Sequence, residues 1–518
     1  MIEKQSEQLL DLINSDLEFF HDKNDKTFVT FSVNNHKETW EIKSEKFHQF
    51  LAKLFWEKHN KPIGANGIKE ALMILESKAL YEGECHQVFL RVGNHGNKTY
   101  IDLCNDLWQV IEISDSDWKI LDNSPVKFRR TDGMQPLPMP KKDIGDIELL
   151  WKYINIPKNK ETKLLILAYM LECFRVETPF PILTLIGLQG SAKSFTQSKL
   201  KDLIDPHNVN LRSAPIKPDD LPVNASNNYL VSFNNVSVLK NSLQDTLCCV
   251  STGGGFSTRL LFTNDKEYVS DTMRPIIMNG IDNFITRPDL LDRSIVIDLP
   301  NIKDTERKSE AEINKAFIKD REKIFTGLLD LLVKTLNKIP NTKINKLPRL
   351  ADFAILGTAL EKVLDYGNGS FLKTYRSNFR ASIESTIDAS PIISALVELM
   401  RSEKVWAGRY IDLLDKLILK FPPNYRTQYP ENAKEMASLV KRYIPMLQIL
   451  GITITEIEPR KEDGRHIEIQ YDLQLVQDDQ CDKHISTSKI EPVCPAHTVD
   501  KTEIMRIVDE YKRECNLV

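Results

Sequence analysis

Residues 180–194 read FPILTLIGLQGSAKS, an apolar run followed by a glycine-containing turn and a Lys-Ser pair. This order predicts a strand, a tight loop and a helix that begins near Lys193. Such a loop binds phosphate because its backbone N–H groups point inward, a lysine reaches the β- and γ-phosphates and a hydroxyl binds Mg²⁺. We therefore expect ATP and Mg²⁺ as cofactors, against the alternative of a chance Gly-x-x-Gly turn. The expected nucleotide contacts are Gly187, Gln189, Gly190, Ser191, Ala192, Lys193 and Ser194, with Ser194 also as the metal ligand.

Three further apolar runs predict the other strands of a sheet. They are YLVSF at 229–233, RPIIMNG at 274–280 and SIVIDLP at 294–300, and helical or loop segments separate them. This alternation favours a mainly parallel sheet covered by helices, an α/β fold. The nucleotide is expected at the carboxyl ends of its strands.

The composition indicates a folded multidomain protein. The chain has 518 residues, of which 41% are hydrophobic and 27% are charged, so it is too long for one core and too apolar for wholesale disorder. Its net charge of -4 gives no global field for a polyanion, so any DNA contact needs a local basic surface. No apolar run approaches the ~20 residues of a membrane helix. Eight scattered cysteines and a charged start without a signal peptide predict a cytoplasmic protein with no membrane partner.

Changes of pattern along the chain predict five segments. Residues 1–145 mix strand patterns with helices over 45–59 and 65–81, which predicts an N-terminal α+β accessory domain. Residues 146–303 carry the P-loop ATPase core, and 304–389 form a helical lid or linker. Residues 390–475 place helices before two strands, the order of a winged-helix-like domain, and 476–518 form a polar tail.

The core also resembles a known family. The segments QGSAKS (189–194), YLVSFNNVS (229–237), STGGGFSTRLLFTND (251–265) and RPIIMNGIDNFITRPDLLDRSIVIDLP (274–300) resemble the ATPase of phage, plasmid and genomic-island primase-helicases. That family is similar to superfamily 3 helicases and belongs to the AAA+ class. The resemblance implies that Lys193 and Ser194 bind phosphate and Mg²⁺ and that Asn279 is the sensor residue. Arg293, with Arg287 as second candidate, is then the arginine finger of a neighbouring subunit, which implies a homo-oligomeric ring.

Two residues depart from the expected patterns. Ala192 replaces the glycine before the lysine, which costs little as long as its φ stays negative. Asn234 stands where the family has an aspartate that supports Mg²⁺ and the attacking water. An amide cannot supply negative charge or accept a proton as a carboxylate does, so hydrolysis is expected to be slow or absent. Three nearby acids are candidates for compensation, namely Asp219, Asp220 and Asp245.

Two basic regions are candidate DNA contacts. Phe256 and Arg259 offer a stacking face and a phosphate contact, as single-stranded DNA binding uses, although a glycine-rich turn with a core phenylalanine gives the same pattern. In the winged-helix-like segment Lys441 and Arg442 lie on one helix with Lys434, and the apparent wing carries Arg460, Lys461 and Arg465. A solvated helix face is the alternative interpretation there.

The sequence thus predicts a DNA-dependent ATPase, most specifically a DNA helicase of mobile-element replication that acts with DNA and further replication partners. The alternative from another class is a hydrolysis-weak, ATP-gated DNA-binding or assembly factor, suggested by Asn234. A primase-helicase is a third possibility, but residues 1–145 lack a pattern of paired aspartates on neighbouring strands. Cys481, His484, Cys494 and His497 have spacings that a zinc site can use, in a tail with little scaffold.

Overall fold

The computed structural model describes residues 4–472 except 14–15, 34–35, 255, 260–266, 271–272, 420–428 and 462–463. The molecule is a mixed α/β protein with helices and several separate sheets. In the ranges described, no helix combines the length and the apolar character needed to cross a membrane.

The chain begins with a three-stranded antiparallel sheet backed by helices. The elements are α1 (Gln5–Asp11), β1 (Glu18–His21), β2 (Thr27–Val33), β3 (His36–Glu41), α2 (Glu45–His59) and α3 (Ala65–Tyr81). Ser44 caps α2 by accepting a hydrogen bond from the backbone N–H of Phe47 at 3.3 Å, and Asn60 ends it in the left-handed conformation. The apolar faces of α2 and α3 close a small core that contains Leu51 and Leu75. Both predicted helices are confirmed.

A second antiparallel sheet follows and packs into a different hydrophobic core. This region contains β4 (Val88–Phe89), β5 (Val92–His95), β6 (Lys98–Asp102), β7 (Val110–Ile113), β8 (Trp118–Leu121) and β9 (Lys127–Phe128). Strands β5-β6-β7-β8 pair in that order to form the antiparallel sheet, and β4 and β9 form a separate two-stranded parallel sheet. Ile101 and Trp118 belong to the same hydrophobic core as the helices after residue 147, and the Trp118 indole donates to Asp330 at 2.8 Å. The second sheet therefore shares a hydrophobic core with the part of the chain that follows residue 147.

The middle of the chain forms a four-stranded parallel sheet with helices on both faces. Its elements are α4 (Lys160–Glu172), β10 (Ile182–Ile186), α5 (Lys193–Ile204), α6 (Asp220–Asn227), β11 (Val231–Phe233), α7 (Asn241–Thr252), β12 (Phe256–Arg259), β13 (Glu267–Ser270), β14 (Ile276–Gly280), α8 (Pro288–Leu291) and β15 (Ser294–Asp298). The strand order is β11-β14-β10-β15, all parallel, while β12 and β13 form a separate antiparallel hairpin. These strands are near-continuous apolar runs because both faces of the sheet are buried. The predicted parallel sheet is confirmed.

Helices and a small sheet complete the described chain. Helix α9 (Glu310–Lys338) packs on α10 (Ala351–Val363), both α10 and α11 (Ser370–Asp388) pack on α4, and α11 also packs on β15. They are followed by α12 (Pro391–Glu403), β16 (Val405–Arg409), α13 (Tyr410–Ile418), α14 (Ala433–Ile449), β17 (Ile452–Lys461) and β18 (Gly464–Tyr471). The last three strands pair antiparallel in the order β16-β18-β17.

A buried ion network joins the second N-terminal sheet to the end of α5. The Arg91 Nε lies 3.0 Å from an Asp205 carboxylate oxygen, and the Lys201 Nζ lies 3.2 Å from the other. All three side chains are at most 1% exposed. Burial alone would raise the pKa of Asp205, but the charges of Lys201 and Arg91 hold it well below its usual value.

Candidate functional site

The loop between β10 and α5 lies at the carboxyl edge of the parallel sheet. Gly187, Gly190 and Ala192 have φ of 151°, 89° and 55°. A Cβ on Gly187 would lie 2.8 Å from the Ser191 hydroxyl and 2.9 Å from the Leu299 carbonyl oxygen, so close approach also requires glycine there. The condition under which alanine costs little here, a negative φ at Ala192, is therefore not met. The turn into α5 requires the left-handed conformation, which costs an L-residue roughly 1–2 kcal/mol.

The Lys193 ammonium lies inside this loop. Its Nζ donates to the backbone carbonyl oxygens of Gly187 at 2.7 Å and Leu188 at 2.9 Å. The side chain is only 7% exposed, and desolvation lowers its pKa. Neutral carbonyls compensate a buried charge less well than anionic oxygens do, so phosphate is a better partner for this ammonium than its present acceptors.

Four polar side chains form a connected group next to the loop. The Ser194 hydroxyl donates to the Asn234 amide oxygen at 2.6 Å, and the Asn279 amide nitrogen donates to the same oxygen at 2.7 Å. Asn279 also donates to the Gln197 side-chain oxygen at 2.5 Å. The structure thus brings together Ser194, Asn234 and Asn279, the three residues that the sequence placed at this edge.

Gln197 is the member of this group that sequence reasoning missed. It is fully buried on α5, one turn after Lys193, and its amide nitrogen donates to the Ser232 hydroxyl at 2.8 Å and the Phe233 carbonyl oxygen at 3.1 Å. Gln197 stands four positions after Lys193 and so on the same face of α5. That face also carries Ser194 and Lys201, so no change of pattern marks Gln197 in the sequence. The hydrogen-bond partners described for these four side chains include no carboxylate, so the group is electrically neutral.

Two residues from distant segments also reach the loop, and neither was predicted. The Asn155 amide nitrogen donates to the Ser191 carbonyl oxygen at 2.9 Å and the Pro300 carbonyl oxygen at 2.6 Å. Asn155 therefore clamps the loop to the segment after β15. Further along that segment, a guanidinium nitrogen of Arg307 lies 3.1 Å from where a Cβ on Gly190 would be. Arg307 is 58% exposed and pairs with Asp304 at 3.2 Å. Because an exposed ion pair of this kind is weak, the Arg307 side chain can move toward a ligand on the loop.

The first predicted finger arginine, Arg293, lies away from this loop. Ser294, next to Arg293, pairs with Ile182 at the amino end of β10, whereas the loop follows Ile186 at the other end. Four residues of strand separate these levels by about 13 Å. Arg293 is 9% exposed and pairs with Asp289 at 2.7 Å.

Arg287 differs from Arg293 in its accessibility. It is 39% exposed and pairs with Asp245 at 2.8 Å. Asp245, one of the three acids considered as replacements for a site carboxylate, is thus engaged with this arginine. Asp219 and Asp220 are exposed at the start of α6.

The predicted DNA contacts are placed only in part. Phe256 and Arg259 lie on β12, opposite Ser270 and Glu267 of β13, and their side chains are outside the described residues. Lys441 lies on α14, where it is 45% exposed and pairs with Glu456 of β17 at 2.9 Å.

The other predicted contacts divide between described and undescribed side chains. Lys434 and Arg442 are exposed on α14, and the side chains of Arg460, Lys461 and Arg465 are outside the described set. The predicted polar tail, 476–518, lies outside the described residues, as do the possible zinc ligands Cys481, His484, Cys494 and His497.

Two family models match the chain. The model of an actinomycete integrative conjugative element replication protein matches residues 147–388, and the model of the AICE RepA C-terminal domain matches residues 392–483. The two matches meet between α11 and α12 and together span most of the chain. No curated protein matches the chain significantly in sequence.

Solved structures give weaker similarity. The apo structure of the NrS-1 C-terminal region is 12% identical with a TM-score of 0.39, and the alignment covers 91% of this chain and all of that one. A JCV helicase with a bound small molecule is 15% identical with a TM-score of 0.21, and the alignment covers 44% of this chain and 67% of that one.

Proposed function

We propose that this chain, which belongs to the family of integrative conjugative element replication proteins, is a P-loop ATPase of the AAA+ class that acts on DNA. The supporting observation is that the glycine loop before α5 meets Ser194, Asn234 and Asn279 at the carboxyl edge of a parallel sheet. Open α/β sheets bind ligands at that edge, and a loop that opens a helix presents N–H groups to anions. In this proposal residues 146–303 are the ATPase core and 304–389 its helical lid.

ATP would place its phosphates over the loop at the start of α5. Lys193 would exchange the carbonyls of Gly187 and Leu188 for the β- and γ-phosphates, which restores the charge compensation that its buried ammonium lacks. Arg307 would supply a second positive charge from the same chain, and Asn155 would keep the loop backbone in place.

The residues beside the loop offer a magnesium ion two neutral oxygen ligands. The Ser194 hydroxyl and the Asn234 amide oxygen are adjacent, and Mg²⁺ favours oxygen ligands while it keeps several waters. Mg²⁺, when bound, would offset the charge of the phosphate oxygens. Asn279 would fix the orientation of the Asn234 amide and so keep its oxygen toward Ser194.

Asn234 supports a second function, an ATP-gated DNA-binding or assembly factor. Its oxygen occupies the position between Ser194 and Asn279 where a catalytic carboxylate would be useful, and an amide has negligible basicity. A protein with this residue binds nucleotide through Lys193 and the loop without a base to activate water. The two functions therefore predict the same ATP binding but different rates of ATP hydrolysis.

We also propose that the finger arginine acts between subunits of a homo-oligomeric ring. The register of β15 on β10 puts Arg293 at the end of the sheet remote from the loop of its own chain. An arginine there is too far from the nucleotide loop of its own chain, so in this proposal a finger arginine acts on the nucleotide of a neighbouring subunit. Arg287 is the better placed of the two because more of its side chain is exposed.

DNA binding is proposed for the C-terminal segment, residues 390–475. The order α12, β16, α13, α14, β17 and β18, with a three-stranded antiparallel sheet, supports the winged-helix-like domain that we propose for it. Lys441 and Arg442 lie on the exposed side of α14, where they would contact the phosphate backbone without selecting sequence. A DNA helicase that tracks single strands is the specific activity that we propose.

The test is ATP binding and hydrolysis by the full-length protein, with and without single-stranded DNA. Three proteins are compared: wild type, Lys193→Ala, and Lys373→Ala as a control that removes an exposed lysine of α11. We expect a fluorescent ATP analogue to bind wild type and the control but not Lys193→Ala.

The turnover measurement separates the two functions. DNA-stimulated hydrolysis that is lost in Lys193→Ala supports the motor. ATP binding without turnover supports the ATP-gated factor. Equal ATP binding by wild type and Lys193→Ala would refute both, because the loop would then not be the nucleotide site.

A further inference from the structure

A cavity of 640 Å³ lies at the amino edge of the parallel sheet, opposite the glycine loop. Its inner wall is formed by residues that precede β10, β11 and β14, among them Phe180, Tyr229 and Arg274. Its outer wall comes from the N-terminal region, with Phe89 of β4 and Arg129 after β9. The cavity is thus separate from the proposed nucleotide site and lies between the N-terminal region and the sheet.

Arg274 presents an incompletely bonded guanidinium to this cavity. Its Nε donates to the Ala225 carbonyl oxygen at 3.1 Å and its Nη1 to the Met273 carbonyl oxygen at 3.0 Å. Its Nη2 has no acceptor among the described residues, nor does any described carboxylate pair with it. Desolvation lowers the pKa of Arg274 to about 10, and the nearby charge of Arg129 acts in the same direction. An anion in the cavity would raise the pKa of Arg274 and so oppose both effects.

Arg129 lines the same cavity from the other wall. It donates to the Ser226 carbonyl oxygen and lies 3.6 Å from Glu41, a long ion pair. Two arginines that approach each other across an open cavity repel, and an anion held between them removes that repulsion. Guanidinium groups suit phosphate because their N–H groups match two phosphate oxygens at once.

The surroundings favour a polymer with bases over an isolated phosphate. The aromatic ring of Phe89 lines the cavity beside the two arginines, and arginines with an accessible aromatic ring are the combination that single-stranded nucleic acid uses. The buried ring of Tyr229 lies under the Arg274 guanidinium at 5.7 Å and helps to hold it at the cavity. The cavity also reaches Gly253 and Met273, which flank the β12–β13 hairpin. It is therefore continuous with one of the surfaces on which the sequence predicts DNA contact.

We propose that this cavity binds the phosphodiester backbone of single-stranded DNA, with Arg129 and Arg274 as phosphate ligands. The inference rests on the proposed DNA binding and specifies a place for it apart from the C-terminal segment. The N-terminal region and the ATPase sheet would then grip one strand between them.

The test measures the anisotropy of a fluorescent dT20 oligonucleotide with the full-length protein, without nucleotide. The first variants change Gln87, an exposed cavity residue whose substitution leaves the core untouched. Gln87→Arg is expected to tighten binding and Gln87→Glu to weaken it. Asn97→Arg and Asn97→Glu make the same charge changes at an exposed turn outside the cavity and are expected to have smaller effects.

The arginines are tested through the salt dependence of binding. Each phosphate contact on a single strand contributes about 0.7 to the slope of log affinity against log salt. Arg129→Gln and Arg274→Gln are each expected to reduce the slope by about that amount, with thermal unfolding as the check on folding. Arg274→Lys keeps the charge and is expected to retain most of the slope.

The outcomes separate this inference from the proposed function. Equal effects of the Gln87 and Asn97 substitutions, with unchanged slopes in the arginine variants, would overturn the cavity as a DNA site. A concurrent loss of dT20 binding in Lys441→Ala/Arg442→Ala would then leave the C-terminal site standing. Failure of the wild type to bind dT20 would refute both proposals.

Discussion

Substitution of Ala192 by glycine is expected to stabilise the start of α5. Ala192 has φ 55° and ψ 32°, in the left-handed region where its Cβ crowds the following carbonyl. That conformation costs an L-residue roughly 1–2 kcal/mol. Glycine removes this cost but gives the unfolded chain more freedom, which offsets about 0.4–1 kcal/mol. The net expectation is a gain of about 0.5–1 kcal/mol.

Amide hydrogen exchange at Thr196 measures this gain locally. The Thr196 N–H donates to the Ala192 carbonyl oxygen at 2.9 Å, so it is released when the first turn of α5 opens. A stabilisation of about 0.5–1 kcal/mol slows exchange by roughly two- to fivefold. A local probe is preferable because a multidomain chain does not unfold in one transition.

A second alanine gives the matched control. Ala437 lies within α14, where φ is helical, and glycine there is expected to destabilise that helix by about 0.5–1 kcal/mol. The two substitutions should therefore change local exchange in opposite directions. Faster exchange at Thr196 in Ala192→Gly would refute the left-handed assignment and the strain derived from it.

Three other substitutions test separate parts of the molecule. Asn234→Asp is expected to raise ATP turnover by about 10²-fold or more, because a carboxylate can accept a proton from the attacking water; unchanged steady-state turnover would count against the role given to this residue. Arg307→Ala is expected to weaken ATP binding about tenfold through loss of a charged hydrogen bond, whereas Lys308→Ala, which removes a neighbouring exposed charge, should leave titrations with an ATP analogue unchanged. Asp205→Asn leaves two buried cations without a counter-charge and should lower the free energy of unfolding by about 3–5 kcal/mol. Because the folded pKa of Asp205 is lowered, the stability that its carboxylate contributes is full above its unfolded pKa of about 4 and is lost on acidification. Thermal unfolding of Asp205→Asn should therefore respond less to pH between about 5 and 3 than thermal unfolding of the wild type. An equal response would contradict the ion network.

Sequence patterns predicted those parts of the fold that depend on local order. Helices over 45–59 and 65–81 and the strand–loop–helix unit around residues 182–204 follow from periodicity and from glycine position alone. Ser194, Asn234 and Asn279 converge because each stands at or beside the carboxyl end of a strand in one parallel sheet. A convergence of that kind follows from topology once the strands are identified.

Contacts between distant segments were not predictable in this way. Asn155 precedes the loop by more than thirty residues and Arg307 follows it by more than a hundred, and nothing in their neighbourhoods marks them as loop contacts. The ion network around Asp205 likewise joins residues from different sheets and helices. Such contacts depend on how helices and sheets pack, which single-sequence patterns do not specify.

The departures at Ala192 and Asn234 act on different properties of one site. Ala192 immediately precedes Lys193, so its strain bears on the free energy of the loop that we propose as the phosphate site. Asn234 contacts Ser194 on the other side, so its neutrality bears on the metal and on the attacking water. The effect of Ala192 comes from its backbone conformation, and the effect of Asn234 comes from the absence of a charge. In the function that we propose, a site that keeps the lysine and the hydroxyl but alters both neighbours would bind nucleotide and hydrolyse it slowly.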